Sequence, residues 1–98
     1  MANIATNIFF ASVDNEADLD YIVEFINDNF DDAFCDVYDD CMSAEFSSRW
    51  KYPESLMEDL VDGLIDKQNA YIRILTHELS SEYISFRIFT KGKWDIRA

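Results

Sequence analysis

The order of strand and helix patterns along the chain predicts an α+β fold in which two helices pack on one face of an antiparallel sheet. Two stretches carry apolar residues at helical spacing, and five carry the alternating, β-branched and aromatic residues typical of strands. Their order is β-α-β-β-α-β-β. The first six elements match the ferredoxin-like split βαβ plan, and the seventh adds a C-terminal strand. With 98 residues, 49% of them hydrophobic, and only two Gly and one Pro, residues 1–98 are expected to form one domain.

The first strand and first helix follow from residues 3–30. Residues 3–12 are rich in β-formers and end before a polar segment, in which Asp14 or Asn15 can cap a helix. A helix is predicted over about residues 16–29, because apolar side chains recur there at i, i+3, i+4, i+7 and i+11. These side chains are Leu19, Ile22, Val23, Ile26 and Phe30.

Two strands and a second helix are predicted next. Residues 34–38 and 42–50 indicate a strand pair around Asp39-Asp40-Cys41, since apolar and polar side chains alternate in the second of them. Pro53 suits the first position of a helix, where its missing N–H costs nothing. The helix is predicted over about residues 53–67, with Gly63 weakening its last turn. Its apolar side chains are Leu56, Met57, Leu60, Val61, Leu64 and Ile65.

The last two strands are predicted over residues 70–76 and 82–90, with a turn at Ser80-Ser81. Alternation predicts that one set of side chains faces the helices: Ile72, Ile74, Ile84, Phe86 and Ile88. The other face of the sheet would then show Tyr71, Arg73, Tyr83, Arg87 and Phe89. Two uses of that face are open: self-association, or covering by residues 91–98 with Trp94 tucked against it. An RNA-stacking platform is disfavoured, because the acidic chain would repel the phosphate backbone.

The net charge of −12 belongs entirely to the first half of the chain. Residues 1–48 contain twelve Asp and Glu and no Lys or Arg, whereas residues 49–98 contain eight acids and all eight bases. An ordinary solvent-facing helix would intersperse Lys, because like charges four residues apart destabilise a helix slightly. The alternative interpretation is a solvated surface that keeps a small domain soluble.

The residue pattern offers nothing specific for catalysis, a cofactor or a metal site. His77 is the only histidine, and the chain has no glycine-rich phosphate loop, no nucleophile elbow, and no HExxH or CxxC motif. Cys35, Cys41 and His77 match no zinc-ligand spacing, and the Asp31–Asp40 segment lacks the glycine and terminal glutamate of a calcium loop. The two cysteines are expected to be reduced thiols. Residues 1–7 lack the basic residue of a secretory signal and no stretch suits a membrane span, so a cytoplasmic location is expected.

The acidic outer faces of the two predicted helices are the main candidate for a binding site. If both helices lie on one side of the sheet, their carboxylates form two neighbouring ridges that a basic protein surface could accept. The predicted partner-binding residues are Asp20, Glu24, Asp28, Asp31, Asp32, Asp36, Asp39, Asp40, Glu58, Asp59 and Asp62.

Two short passages resemble a known family. They are the opening Met1-Ala2-Asn3 with Asn7 on the first strand, and the passage Phe46-Ser-Ser-Arg-Trp50-Lys-Tyr-Pro53 that leads into a helix. They look like a family of small ferredoxin-like proteins, sometimes named YubB-like, that phage and plasmid genomes carry. The resemblance implies no activity, but it implies a mobile-element origin.

The expected function is that of a non-enzymatic inhibitor that mimics nucleic acid. Its partner would be a basic nucleic-acid-binding site of a host defence complex, as for anti-CRISPR or anti-restriction proteins, without direct contact to nucleic acid. The alternative is a structural or virion-associated domain that dimerises through the open sheet face. In a dimer of that kind, the acidic helices of one copy could also meet the basic tail of another.

Overall fold

The computed structural model describes residues 3–98 as two layers, a six-stranded sheet with two helices on one of its faces. Met1 and Ala2, the first two residues of the opening that resembles the family, lie outside the described part. The elements are β1 (Ile4–Ser12), α1 (Glu16–Asn29), β2 (Phe34–Tyr38), β3 (Cys41–Arg49), α2 (Glu54–Asp62), a 3₁₀ turn (Lys67–Asn69), β4 (Tyr71–Glu78), β5 (Tyr83–Thr90) and β6 (Lys93–Ile96). The predicted bounds of α1 and β2 are confirmed.

The sheet has the strand order β2-β3-β1-β4-β5-β6, and every neighbouring pair is antiparallel. The order β2-β3-β1-β4 is that of the split βαβ plan, so the predicted α+β, ferredoxin-like fold is confirmed. One alternative expected the C-terminal segment to cover the open face of the sheet, and this expectation is wrong. The segment extends the sheet as β6, and the Trp94 ring packs edge-on against Phe89 on the helix side.

The core lies between the helices and one face of the sheet. On β1 and β3 the side chains that face the helices alternate with exposed or half-buried ones, and on β3 this is the alternation that the sequence predicts. Phe46 of β3 is packed against Phe9 of β1 and against Phe30 at the end of α1, with ring centroids 6.0 and 4.1 Å apart. These contacts fix the C-terminal end of α1 on the sheet.

The second helix is shorter than predicted, ending at Asp62 instead of about residue 67. Gly63 and Leu64 donate their N–H groups three residues back, to Leu60 and Val61, which closes the helix with a tight turn. The next two N–H groups are bonded to the Asp18 carboxylate on α1, so they are withdrawn from any continuing helix. A tertiary contact therefore ends this helix where the apolar spacing would have allowed it to continue.

The predicted orientation of β5 is wrong. Because Thr76 pairs with Ser85 and Ile72 with Phe89, it is the odd-numbered residues of β5 that face the helices. Phe89 is only 2% exposed and belongs to the core. Ile84, Phe86 and Ile88, which were expected inside, project from the open face instead.

Tyr83 and Arg87 are also on the helix side, so neither they nor Phe89 can belong to an open-face interface. The Tyr83 hydroxyl accepts a hydrogen bond from the Tyr52 N–H, 3.0 Å away. The Arg87 guanidinium lies 4.0 Å from the centroid of the Tyr52 ring and 3.3 Å from a Glu54 oxygen. The segment that leads into α2 thus covers this end of β5.

One buried polar group links three strands. The Asn7 amide donates to the Phe46 carbonyl at 3.2 Å and to the Ser48 hydroxyl at 2.9 Å, and its oxygen accepts from the Thr76 hydroxyl at 2.6 Å. Asn7 and Thr76 are both fully buried. The amide thereby fixes the register of β1 against β3 and β4.

Replacing Thr76 with Val is expected to lower the free energy of unfolding by about 1–3 kcal/mol, because it leaves the buried Asn7 oxygen without a donor. Urea unfolding followed by circular dichroism measures the change. The matched control is Thr6→Val, one position from Asn7 on β1 but on the open face. An equal loss in both variants would contradict the role assigned to the Asn7–Thr76 bond.

Candidate protein-binding surface

The outward side of α1 carries a ridge of exposed carboxylates. Asp20, Glu24 and Asp28 are four residues apart, so they stand about one turn above one another on the solvent side. The helix begins where the Asn15 side chain accepts a hydrogen bond from the Asp18 N–H at 2.8 Å. Its apolar side faces the sheet, which leaves the acidic side outward.

A second ridge lies on α2, where Glu58, Asp59 and Asp62 are exposed. The two helices pack side by side: the Tyr21 hydroxyl of α1 donates to the Leu60 carbonyl of α2 at 2.8 Å. Gly63 permits this approach, because a side chain at that position would collide with the Tyr21 hydroxyl. The helical acidic face is the name used below for Asp20, Glu24, Asp28, Glu58, Asp59 and Asp62.

Asp18 lies beneath this face and fastens α1 to the end of α2. Its carboxylate accepts hydrogen bonds from the backbone N–H groups of Ile65 at 2.8 Å and Asp66 at 3.0 Å, and from the Asn15 amide. Burial opposes its ionisation, but these hydrogen bonds outweigh burial and hold the pKa of Asp18 below its ordinary value. No local pattern around Asp18 indicates this bridge, because its partners Ile65 and Asp66 lie 47 and 48 residues along the chain.

The β2–β3 turn brings two more acids to the start of α1. Asp39, which has a left-handed backbone with φ of 54°, and Asp40 line a cavity of about 420 Å³ together with Asp20. Asp14 and Glu16 line the same cavity. Among residues 3–98, no group of three or more His, Cys, Asp or Glu side chains is arranged to hold a metal ion.

Three of the predicted partner-binding acids are placed differently. Asp31 is exposed just past the end of α1, on the loop to β2. Asp32 accepts a hydrogen bond from the Ser47 N–H at 3.0 Å, and bonding to Ser47 lowers its pKa. Asp36 pairs with Ser43 and projects from the open face of the sheet, so it does not share a surface with the helices. The expectation that all these acids form one face is therefore wrong for Asp36.

The acids of the helical acidic face are not neutralised within the described chain. Residues 3–98 contain two side-chain ion pairs, Arg87–Glu54 at 3.3 Å and Arg97–Asp95 at 2.6 Å. Neither pair involves an acid of the first half of the chain. The negative charge of the two ridges is thus left to solvent, ions or another molecule.

The face of the sheet away from the helices is rich in apolar side chains and is not covered by another element of residues 3–98. Tyr71 and Arg73 project from it as predicted, and the Arg73 guanidinium lies 4.3 Å from the centroid of the Phe10 ring. Sequence reasoning missed most of its apolar members, because β1 and β5 carry apolar side chains on both faces. The open sheet face is the name used below for this surface, whose apolar side chains include Ile8, Phe10, Phe34, Leu75, Ile84, Phe86 and Ile88.

The two cysteines are free thiols on opposite faces of the sheet. Cys35 pairs with the buried Ala44 and faces the helices, whereas Cys41 pairs with Tyr38 and faces the open side. Burial and the neighbouring Asp36 raise the pKa of the Cys35 thiol. This arrangement does not allow the two sulfurs to form a disulfide without a change of register.

Comparisons of the chain with protein-family models, with characterised proteins and with solved structures found no match. Within residues 3–98, no helix is both long and apolar enough to cross a membrane.

Proposed function

We propose that this protein is a non-enzymatic inhibitor that occupies a basic nucleic-acid-binding site of another protein with its helical acidic face. One observation carries the proposal. Two packed helices present exposed carboxylates side by side, and none of these carboxylates is ion-paired within residues 3–98. Holding like charges together costs stability, and a basic partner would offset that cost.

The spacing of the charges supports mimicry of nucleic acid. Carboxylates recur about every 6 Å along each helix, and neighbouring helices lie roughly 8–10 Å apart. A groove lined with Lys and Arg for a phosphate backbone, with one phosphate per about 3.4 Å of each strand, would accept a surface of this kind. The concrete form of the proposal is a mobile-element protein that acts in the host cytoplasm against a CRISPR or restriction complex. Asp31, Asp32, Asp39 and Asp40 would extend the contact at the two ends of α1.

Charge reversal on the helical acidic face tests this function. Asp20→Lys combined with Glu24→Lys is expected to weaken binding by about tenfold or more, because attraction is replaced by repulsion. The assay is release of a labelled DNA duplex from purified restriction endonucleases and CRISPR effector complexes, followed by fluorescence anisotropy. Release by the wild-type chain should also weaken as salt is raised.

The matched control is Glu82→Lys, in the exposed turn between β4 and β5, compared with Glu24→Lys alone. Both variants change the net charge equally, so only the position of the charge differs. The proposal fails if the double variant releases DNA as well as the wild type does, or if Glu82→Lys is as harmful as Glu24→Lys.

A structural or virion-associated dimerising domain is the second candidate function. The observation that favours it is the open sheet face, which is apolar and is covered by no other part of residues 3–98. This face lies on the side of the sheet away from the helices. Dimerisation through it would leave the helical acidic face free, so the two candidate functions do not compete for one surface.

A further inference from the structure

The open sheet face exposes large apolar side chains to water. Phe34 is 69% exposed, Ile84 59% and Ile8 47%, although each lies in a strand of the sheet. The register aligns Phe34, Ile8, Leu75 and Phe86 in one row across five strands, with Glu45 between the first two. Contiguous apolar patches of this kind mark interaction surfaces.

The charged side chains divide this face into an acidic and a basic half. Asp36 on β2 and Glu45 on β3 lie on one side of the β1–β4 centre and have no ion-pair partner within residues 3–98. Arg73 on β4 and Lys93 on β6 lie on the other side and are likewise without one. Two further groups do not change this division: Asp95 is neutralised by Arg97, and Arg49 lies at the far end of β3.

The charge division selects one symmetric way of pairing two copies. A twofold axis parallel to the strands, between β1 and β4, places β2 and β3 of one copy over β5 and β6 of the other. Acidic and basic halves then meet. An axis across the strands would instead place each strand over its own copy, so that the acidic half would face the acidic half.

The size of the face suits a stable dimer. Strands about 4.8 Å apart, with a rise of about 3.3 Å per residue, give this six-stranded sheet an area of roughly 700 Å². Standard interfaces bury about 800 Å² on each partner.

We propose that the open sheet face is a homodimer interface in which two sheets pack face to face about an axis parallel to their strands. The row of Phe34, Ile8, Leu75 and Phe86 forms its apolar centre. Asp36 on β2 of each copy approaches Lys93 on β6 of the other, because β2 then lies over β6. The helical acidic faces point outward on opposite sides of the dimer, so this inference deepens the second candidate function and does not rest on the proposed inhibitor function.

Ile8→Lys tests the apolar centre. The new ammonium group would be buried at the interface, yet in the monomer it lies directly opposite Glu45 on β3, where a cross-strand pair maintains the fold. The control is Ile65→Lys, because Ile65 is 77% exposed just past α2 and away from the sheet face. Sedimentation equilibrium should give twice the chain mass of 11.5 kDa for the wild type and for Ile65→Lys, and the chain mass for Ile8→Lys.

A charge swap tests the direction of the axis. Asp36→Lys and Lys93→Asp alone should each raise the dimer dissociation constant about tenfold, and the two together should restore most of the wild-type affinity. Asp36 and Lys93 lie on opposite edge strands within one copy, so the coupling reports contact between copies.

A wild-type chain that stays monomeric over the whole dilution series would overturn the proposal, as would a dimer that survives Ile8→Lys. A double swap that binds no better than the single variants would overturn the axis parallel to the strands. Near-UV circular dichroism of each variant confirms that dissociation is measured on folded chains.

Discussion

Phe46→Ala is expected to lower the free energy of unfolding by about 3–5 kcal/mol. Phe46 is 1% exposed and its ring contacts Phe9 on β1 and Phe30 at the end of α1. The substitution removes both aromatic contacts and leaves a cavity that the surrounding strands cannot close. For a domain of this size, whose total stability is roughly 5–15 kcal/mol, the loss would leave little margin.

Urea unfolding at one fixed protein concentration measures this effect, since dimerisation would add to the apparent stability. Phe46→Leu is the control, and it should cost only about 1–2 kcal/mol because most of the apolar volume stays. Phe30 would lose its partner in the alanine variant, so α1 should detach from the sheet at its C-terminal end. A loss below about 1 kcal/mol for Phe46→Ala would contradict the packing described for this part of the core.

Asp18→Asn is expected to lower the free energy of unfolding by about 2–3 kcal/mol, although it keeps the shape of the side chain. The carboxylate accepts from the N–H groups of Ile65 and Asp66 with two different oxygens. An asparagine amide has only one oxygen, so it can accept from one of these two N–H groups. Its NH₂ group would point a donor at the other N–H group. Asp20→Asn, two residues away and exposed, is the control and should change stability by about 0.5 kcal/mol or less.

The same substitution should remove part of the acid sensitivity of the fold. The pKa of Asp18 is lowered in the folded chain, so its contribution is complete above the unfolded value of 3.8 and is lost as pH falls through the lower folded value. Hydrogen bonds from Ser80 and Ser81 lower the pKa of Glu78 to about 2, so protonation of Glu78 also destabilises the fold in acid. This second effect is the same in wild type and in Asp18→Asn. The stability difference between wild type and Asp18→Asn should therefore shrink as pH is lowered below 4. A difference that stays constant down to the acid transition would show that Asp18 does not act as a buried carboxylate.

Local patterns predicted those elements whose burial depends on their own spacing. α1 begins and ends as the apolar periodicity and the capping residues Asp14 and Asn15 indicate, and Asn15 is the one that caps it. The inward side of β3 follows from alternation, in which apolar side chains alternate with polar ones. β1 has apolar side chains on both faces, so alternation alone does not say which side is buried. The acidic side of the helices was predicted, because an amphipathic helix with its apolar side on a sheet must turn its polar side outward.

Patterns failed where a partner far along the chain decides the outcome. β5 has apolar side chains on both faces, so alternation alone cannot say which set is buried. The Thr76–Ser85 pairing decides it, since a shift by one residue would exchange the two faces. Similarly, the end of α2 depends on Asp18, which is separated from Ile65 by 47 residues.

The sequence alone determined the class of fold, the position of α1, and the confinement of net negative charge to the first half of the chain. Only the tertiary structure decided that Asp36 projects from the side of the sheet opposite the helices and that Phe89 is buried. It also decided that an apolar sheet face with an acidic and a basic half remains uncovered. The physical reason is that periodicity records which side of an element is apolar. Which surface that side meets is set by strand register and by hydrogen bonds between distant residues.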